Sequence, residues 1–104
     1  MRLHKQTKAC DISPIVKNKV WERDGHQCIL CGSPIAMPNA HYIPRSHGGL
    51  GIEENIVTLC LCCHDKYDNS QERKLLKNEI KDYLRSKYPT WDESKLRYRK
   101  WNHA

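Results

Sequence analysis

Four cysteines form two pairs with the same internal spacing. The pairs stand roughly thirty residues apart, as the ligands of one structural zinc ion often do. These cysteines are Cys28, Cys31, Cys60 and Cys63. We predict that they hold a tetrahedral structural Zn²⁺, which fixes both ends of the segment between the pairs.

Three polar residues able to do chemistry lie within this segment or at its end: His41, Asn55 and His64. Because both ends of the segment are pinned, these side chains are presented rather than buried. An imidazole with a pKa of about 6.5 accepts a proton readily at physiological pH. We therefore expect the metal to stabilise the fold and these three residues to take part in the reaction.

The size and composition of the chain favour a small domain that needs a metal. The chain has 104 residues, of which 38% are hydrophobic and none is phenylalanine, and its mean hydropathy is −0.81. A domain of this length buries too little apolar surface to retain much stability once the chain is ordered. We expect one domain with a thin core and a wide polar surface.

The charge is basic, with 18 Lys and Arg against 12 Asp and Glu, for a formal net charge of +6. Binding of Zn²⁺ by four thiolates would leave the chain basic. Such a balance favours a polyanionic partner, of which nucleic acid is the usual one. The alternative is a solvated surface that only keeps a small protein in solution.

The N-terminal residues are basic but no apolar run follows them. Neither a signal peptide nor a membrane span is therefore predicted, and we expect the chain to stay inside a cell. In a reducing compartment, cysteines are more often metal ligands than disulfides. Residues 1–12 have no periodicity and are predicted to form a loose basic tail.

The next elements are short. Ser13 and Pro14 are an N-cap and a first helical residue, so we predict a helix over 14–23. A strand is predicted at Ala40–Ile43 and a return strand at Ile56–Leu59, with a glycine-rich loop between them.

Helices are predicted for the rest of the chain. One starts near Cys63 and reaches Tyr67 or beyond. Apolar residues at three- and four-residue spacing predict a long amphipathic helix over Gln71–Lys87. Pro89 stops it, and Trp91–Leu96 is predicted as a short final helix before a basic, aromatic end.

Nearly half of the chain, from about residue 21 to 69, closely resembles the HNH endonucleases. The resemblance combines two cysteine pairs, three polar residues in order and a glycine loop. The matching segments are Cys28-x-x-Cys31, Ala40-His41-Tyr42-Ile43-Pro44-Arg45-Ser46, Gly48-Gly49, Glu54-Asn55-Ile56-Val57-Thr58-Leu59-Cys60 and Cys63-His64. The helical tail resembles that of small phage and prophage HNH proteins.

The resemblance implies a small α+β fold, in which a ββα-metal finger is stabilised by the four-cysteine structural zinc. An N-terminal helix and a long C-terminal amphipathic helix would flank this finger. We expect a basic flexible tail at 1–12, a nuclease domain at 13–70 and a helical extension at 71–104.

By motif position, the resemblance also implies roles for the three polar residues. His41 would be the general base that activates water, Asn55 would orient the loop and the base by hydrogen bonds, and His64 would ligate a catalytic ion. Mg²⁺ or Mn²⁺ would suit the family, with Ni²⁺ or Zn²⁺ as alternatives.

Position 40 departs from the family pattern. Many HNH sequences have Asp, Glu or His there as another metal ligand, and Ala40 has no ligand atom. Asp68 is the candidate substitute, because it lies one helical turn after His64 on the same face. The alternative is that Asp68 only caps or solvates the end of its helix.

Three cations are candidates for contacting DNA. Arg45 follows the strand that bears His41, so its guanidinium is placed to hold the scissile phosphate. Lys66 and Arg73 are candidates for contacts with backbone phosphates. For each cation, the alternative is an ordinary solvated charge.

These inferences lead to two hypotheses. The first is a metal-dependent DNA endonuclease that nicks or has weak sequence specificity, in phage DNA processing or packaging. The second is a zinc-stabilised DNA-binding module with a degenerate HNH site. The resemblance further implies the cytoplasm of a bacterial host, a phage-encoded protein and packaging partners such as terminase. The sequence leaves open whether the protein is a monomer or a dimer.

Overall fold

The computed structural model describes the backbone of residues 2–99 and the side chains of residues 5–99. Within that part, helices surround one two-stranded antiparallel sheet. The elements are α1 (Arg2–Cys10), α2 (Pro14–Arg23), β1 (Ala36–His41), β2 (Ile56–Cys60), α3 (Leu61–Asn69) and α4 (Arg73–Lys87), with 3₁₀ turns at Arg45–His47, Glu53–Asn55 and Glu93–Lys95. The prediction of a small α+β fold with a four-cysteine cluster is confirmed.

The N-terminal segment differs from its prediction, because residues 2–10 form helix α1 rather than a loose tail. Contacts with distant residues hold its end in place. Cys10 is buried, and the Gly51 amide donates to the Ala9 carbonyl at 2.9 Å. A Cβ at position 51 would collide with the Asp11 carbonyl oxygen, so glycine permits this close approach.

Helix α2 has the predicted boundaries. The Ser13 hydroxyl accepts from the Val16 amide at 3.2 Å, and Pro14 occupies the first turn, where no amide hydrogen is needed. Val20 points into the core with none of its surface exposed.

Strand β1 lies earlier in the sequence than predicted. It spans Ala36–His41, and Tyr42 and Ile43 lie outside it because their amides donate to Asn55. The sheet register changes by one residue between Met37 and Ala40, which is a β-bulge. Pro38 lies in this bulge, where its missing amide hydrogen breaks no ladder bond.

One core joins the sheet to the C-terminal helices. Strand β2 is buried along its whole length, and Ile80 and Leu84 of α4 pack against the same core with Leu96. Helix α3 begins two residues before the predicted start, and the segment after α4 forms a 3₁₀ turn at Glu93–Lys95. Every helix in the described part is too short or too polar to traverse a bilayer. The end of the predicted extension, residues 100–104, lies outside the described residues.

A buried ion pair at the end of α2 connects the elements that form this core. Asp24 is 6% exposed and accepts from the Thr58 amide at 2.8 Å and from the Tyr83 hydroxyl at 2.6 Å. Arg23 lies beside it at 2.7 Å and donates to the Ile56 carbonyl at 2.7 Å. The pair therefore ties α2 to β2 and α4.

We predict that Asp24→Ala lowers the free energy of unfolding by about 3–5 kcal/mol, because it leaves the Arg23 guanidinium buried without its counter-charge. Urea unfolding followed by circular dichroism measures this. Asp82→Ala, on the exposed face of α4, is the matched control and should change the free energy by less than about 0.5 kcal/mol. Equal losses in the two variants would contradict the role of Asp24.

Candidate functional site

The four paired cysteines converge on one point. Their sulfur atoms all lie within 4.8 Å of one another, and the Sγ atoms of Cys31 and Cys60 are 3.5 Å apart. Four thiolates around one zinc ion, each about 2.3 Å from it, would be about 3.8 Å apart. The cluster therefore has the donor set and the spacing of a structural zinc site. Cys10 and Cys62 lie outside it.

The local backbone brings the two cysteine pairs together. Gly32 has φ of +80° and donates its amide to the Cys28 carbonyl at 2.9 Å, which closes the first turn. The Ile29 amide donates to the Thr58 carbonyl at 3.0 Å and so attaches this turn to β2. In the second pair, the Cys60 sulfur caps α3 by accepting from the Cys63 amide at 3.4 Å.

The thiols of the cluster have divergent acidities. Burial raises the pKa of Cys28, but backbone hydrogen bonds from Cys60, Cys31 and Leu30 outweigh it and lower that pKa to about 7. Burial, followed by hydrogen bonds with the other thiols of the cluster, raises the pKa of Cys63. Four thiolates at this spacing repel one another, so a divalent cation is required for all of them to be ionised.

His41 is the last residue of β1 and is half-buried. Its Nε2 lies 2.9 Å from the Cys10 carbonyl oxygen. A carbonyl oxygen only accepts hydrogen bonds, so Nε2 carries the hydrogen and Nδ1 of the neutral ring keeps a lone pair.

Burial lowers the pKa of His41 below its ordinary 6.5. The hydrogen bond to Cys10 opposes this shift, and Coulombic interactions with Arg45 and then His64 add to it. The ring is therefore neutral at physiological pH, and both neighbouring groups are close enough to affect its protonation.

Asn55 is fully buried, so the expectation that this side chain is presented rather than buried is wrong. It bridges the two ends of the loop that follows β1. Its Oδ1 accepts from the Ile43 amide at 2.8 Å, and its Nδ2 donates to the carbonyls of Ile43 at 3.2 Å and Leu50 at 2.9 Å. All three bonds are to the backbone of the loop, so this side chain fixes the conformation of the loop. Within the described residues, the bonds of this side chain do not reach His41.

His64 and Asp68 lie one turn apart on α3. The His64 Nε2 and an Asp68 carboxylate oxygen are 3.4 Å apart, and the side chains are 30% and 53% exposed. Two ligands about 2.1 Å from one ion are separated by about 3.0 Å in octahedral and about 3.4 Å in tetrahedral geometry. The pair therefore fits two positions around one divalent ion.

Among the described residues, no third His, Cys, Asp or Glu side chain lies close enough to His64 and Asp68 to join such an ion's shell. Among them, only the four clustered cysteines form a group of three or more potential ligands. Ala40 pairs with Val57 and is fully buried in the core. Position 40 therefore faces the protein interior, and water and substrate oxygens would have to complete a shell begun by His64 and Asp68.

The C-terminal end of α1 joins His41 to Arg45. The Cys10 carbonyl that accepts from His41 also accepts from Arg45 Nη1 at 3.0 Å, and Asp11 Oδ1 accepts from Arg45 Nη2 at 2.8 Å. Sequence reasoning missed Cys10 and Asp11 as residues of the site. No signal in the sequence indicates this contact, because a backbone carbonyl is present at every residue.

The other two predicted DNA contacts differ from each other. Lys66 is exposed on α3. Arg73 donates to the Tyr67 carbonyl at 3.0 Å, and its guanidinium carbon lies 4.7 Å from the centre of the Tyr67 ring. Arg73 thus packs against the end of α3, and this arrangement leaves less of its charge for a partner.

Comparison with known proteins places this site in a family. The model of the HNH endonuclease family matches residues 28–70, which contain the cysteine cluster, His41, Asn55, His64 and Asp68. The protein named Anaredoxin, from Nostoc sp. (strain PCC 7120 / SAG 25.82 / UTEX 2576), is 34% identical over 56 residues, which cover 53% of this chain and 74% of Anaredoxin. The family match leaves out α1, α2 and α4.

We predict that the purified protein carries about one zinc per chain and that Cys60→Ser loses most of it. Because a structural zinc contributes folding free energy directly, this variant should also lose cooperative thermal unfolding. Elemental analysis and circular dichroism measure the two effects. Cys62→Ser is the matched control, since Cys62 is exposed and outside the cluster. Loss of zinc from that variant to the same extent would exclude the four-cysteine site.

Proposed function

Because the chain belongs to the HNH endonuclease family, we propose that it is a metal-dependent DNA endonuclease that hydrolyses phosphodiester bonds, with nicking or weakly sequence-specific cleavage. The observation that carries this proposal is the 2.9 Å contact between His41 Nε2 and the Cys10 carbonyl. It holds a neutral imidazole with Nδ1 available as a base, next to a guanidinium suited to phosphate.

His41 is proposed as the general base. With Nε2 donating to Cys10, Nδ1 is the atom that takes a proton from an attacking water. Its lowered pKa keeps it unprotonated near neutral pH, which is the state that a base requires. Asn55 is proposed as a positioning residue, since it fixes the loop that carries Arg45.

Arg45 is proposed to hold the scissile phosphate. A guanidinium has five N–H groups, and two of them are used in the bonds to Cys10 and Asp11. The side chain is 47% exposed, so the remaining N–H groups can reach a ligand. Arg45 and His41 share one carbonyl acceptor, so a phosphate held by the first would lie near the second.

His64 and Asp68 are the residues proposed to hold the catalytic ion, for which Mg²⁺ or Mn²⁺ is preferred and Ni²⁺ or Zn²⁺ are alternatives. When bound, such an ion supplies charge stabilisation for the phosphate and the departing oxygen. The 3.4 Å separation of the two donor atoms supports a shared ion. It is the spacing of tetrahedral ligands, so octahedral Mg²⁺ or Mn²⁺ would draw the two donors slightly closer together.

DNA is the proposed substrate, and the +6 charge of the chain favours it. Lys66 is proposed to contact backbone phosphates, with a smaller contribution from Arg73. A role in phage DNA processing in the cytoplasm of a bacterial host, with packaging proteins such as terminase, is proposed from the sequence resemblance.

The second candidate function is a zinc-stabilised DNA-binding module with a degenerate active site. The burial of Ala40 favours it, because the described residues then offer only His64 and Asp68 to a catalytic ion. DNA binding without cleavage, across a series of divalent ions and with zinc retained, would establish this function in place of the first.

We predict that the protein nicks supercoiled plasmid in the presence of a divalent ion and that His41→Ala slows nicking by at least ~10²-fold through loss of the base. His64→Ala should also abolish nicking, through loss of an ion ligand. Gel electrophoresis of the plasmid, across a panel of divalent ions, measures both.

His47→Ala is the matched control for this experiment. His47 is exposed and lies in the same loop region, but has no place in the proposed mechanism. Its rate should stay within about twofold of wild type at saturating DNA. Nicking that survives His41→Ala would overturn the assignment of the base.

The pH dependence of nicking follows from the lowered pKa of His41. Above that pKa the ring is neutral and active, and below it the rate should fall about tenfold for each pH unit. Since burial places the pKa below 6.5, the rate should be flat from about pH 7 upward. Single-turnover nicking from pH 5 to 8 measures this, and a rate that still falls between pH 8 and 7 would contradict it.

A further inference from the structure

A second cationic site is formed mainly by residues outside the segment 28–70 that matches the family model. It is a cavity of about 520 Å³, whose lining includes Ala9, Leu50, Lys95, Arg97, Tyr98 and Arg99. We propose that this cavity binds a backbone phosphate of the DNA strand, away from the phosphate that is cleaved. The identification of the polymer as DNA rests on the proposed function.

The charge of the cavity supports an anionic ligand. Lys95 and Arg97 stand on either side of Leu96, which is buried in the core, so the two basic side chains share the exposed face of the segment. Within residues 5–99, neither Lys95 nor Arg97 takes part in an ion pair. These two charges are therefore not neutralised by a described carboxylate at contact distance.

The carboxylates of Asp92 and Glu93, next to this segment, interact with groups other than Lys95 and Arg97 at contact distance. One Asp92 carboxylate oxygen accepts from the amide and hydroxyl of Ser94, at 2.9 and 2.7 Å. The Glu93 carboxylate accepts from the Tyr42 hydroxyl at 2.9 Å and lies 3.6 Å from Lys81. The bonds to Ser94, with a smaller effect from the charge of Lys95, lower the pKa of Asp92. One carboxylate at this range cannot balance Lys95 and Arg97 together.

Backbone hydrogen bonds fix the cavity relative to the proposed active site. The Tyr98 amide donates to the Gly48 carbonyl at 2.7 Å, and the Leu50 amide donates to the Leu96 carbonyl at 2.8 Å. The Gly48 amide in turn donates to the carbonyl of Arg45 at 2.9 Å. The cations are thus attached to the loop that begins at Arg45, and the cavity wall includes the residue immediately before Cys10.

This continuity favours a polymer over a small anion. Because the cavity is bonded to the loop that begins at Arg45, a strand whose scissile phosphate lies on Arg45 would bring a neighbouring phosphate to Lys95 and Arg97. Contacts of this kind raise affinity through release of counterions and read no sequence. The C-terminal segment then acts as part of the DNA-binding surface.

The test compares two double variants in a His41→Ala background, which prevents cleavage. Lys95→Gln with Arg97→Gln removes two cations of the cavity. Lys17→Gln with Arg85→Gln is the matched control, because both residues are exposed helical cations outside the cavity and outside every ion pair of the described residues. Fluorescence anisotropy of a labelled duplex of about twenty base pairs gives the affinity at several NaCl concentrations.

The cavity variant should bind about tenfold more weakly at low salt. The slope of log K against log salt should become shallower by about 1 to 2, at about 0.9 for each phosphate that the variant no longer neutralises. The control should change the slope by less than half as much. Zinc content and circular dichroism establish that both variants are folded. Equal changes in the two variants, or an unchanged slope in the cavity variant, would overturn the proposal.

The experiments distinguish failure of the phosphate-site proposal from failure of the nuclease proposal. If the wild-type protein does not nick DNA, but the slope becomes shallower only in the cavity variant, the phosphate site is supported and the nuclease function is not. If the wild-type protein nicks DNA, but the slope is the same in both variants, the nuclease function is supported and the phosphate site is not.

Discussion

The rest of the structure depends on the convergence of four sulfur atoms that would repel one another as thiolates. One pair lies in a turn held to β2 at Thr58, and the other lies where β2 becomes α3, so closing the cluster fixes the angle between strand and helix. That angle decides where His64 lies relative to His41. By binding a metal there, a chain with a thin core and a basic surface would gain the stability that a larger protein gains from burying apolar side chains.

The candidate site is built from parts well separated along the chain. The family match supplies the imidazoles, the amide and the cysteines, whereas α1 and the residue after it supply the carbonyl that orients His41 and the carboxylate that holds Arg45. On the opposite side of β2, the Arg23 and Asp24 pair secures the strand against α2 and α4. The matched segment is therefore the centre of the assembly, and elements before and after it give the side chains their orientation.

The features that the sequence predicts well depend on residues close together in the chain. The boundaries of α2 follow from a serine cap and a proline, and the zinc cluster follows from spacing. The predicted first strand is too late in the chain, because Tyr42 and Ile43 are extended but bond to Asn55 and not to β2. Helix α1 and the Arg23 and Asp24 pair escape prediction because their partners lie thirty or more residues away, and neither periodicity nor residue type identifies such partners.

The bulge in β1 separates the strand into two parts with independent registers. Before it, Ala36 pairs with Cys60, and after it, His41 pairs with Ile56, with one surplus residue between the two parts. A relative lacking one residue at position 38 or 39 would keep both pairings and simply have a regular ladder. The surplus residue therefore lets the two ends of the strand align with β2 independently, so the pairing of Ala36 does not set the pairing of His41.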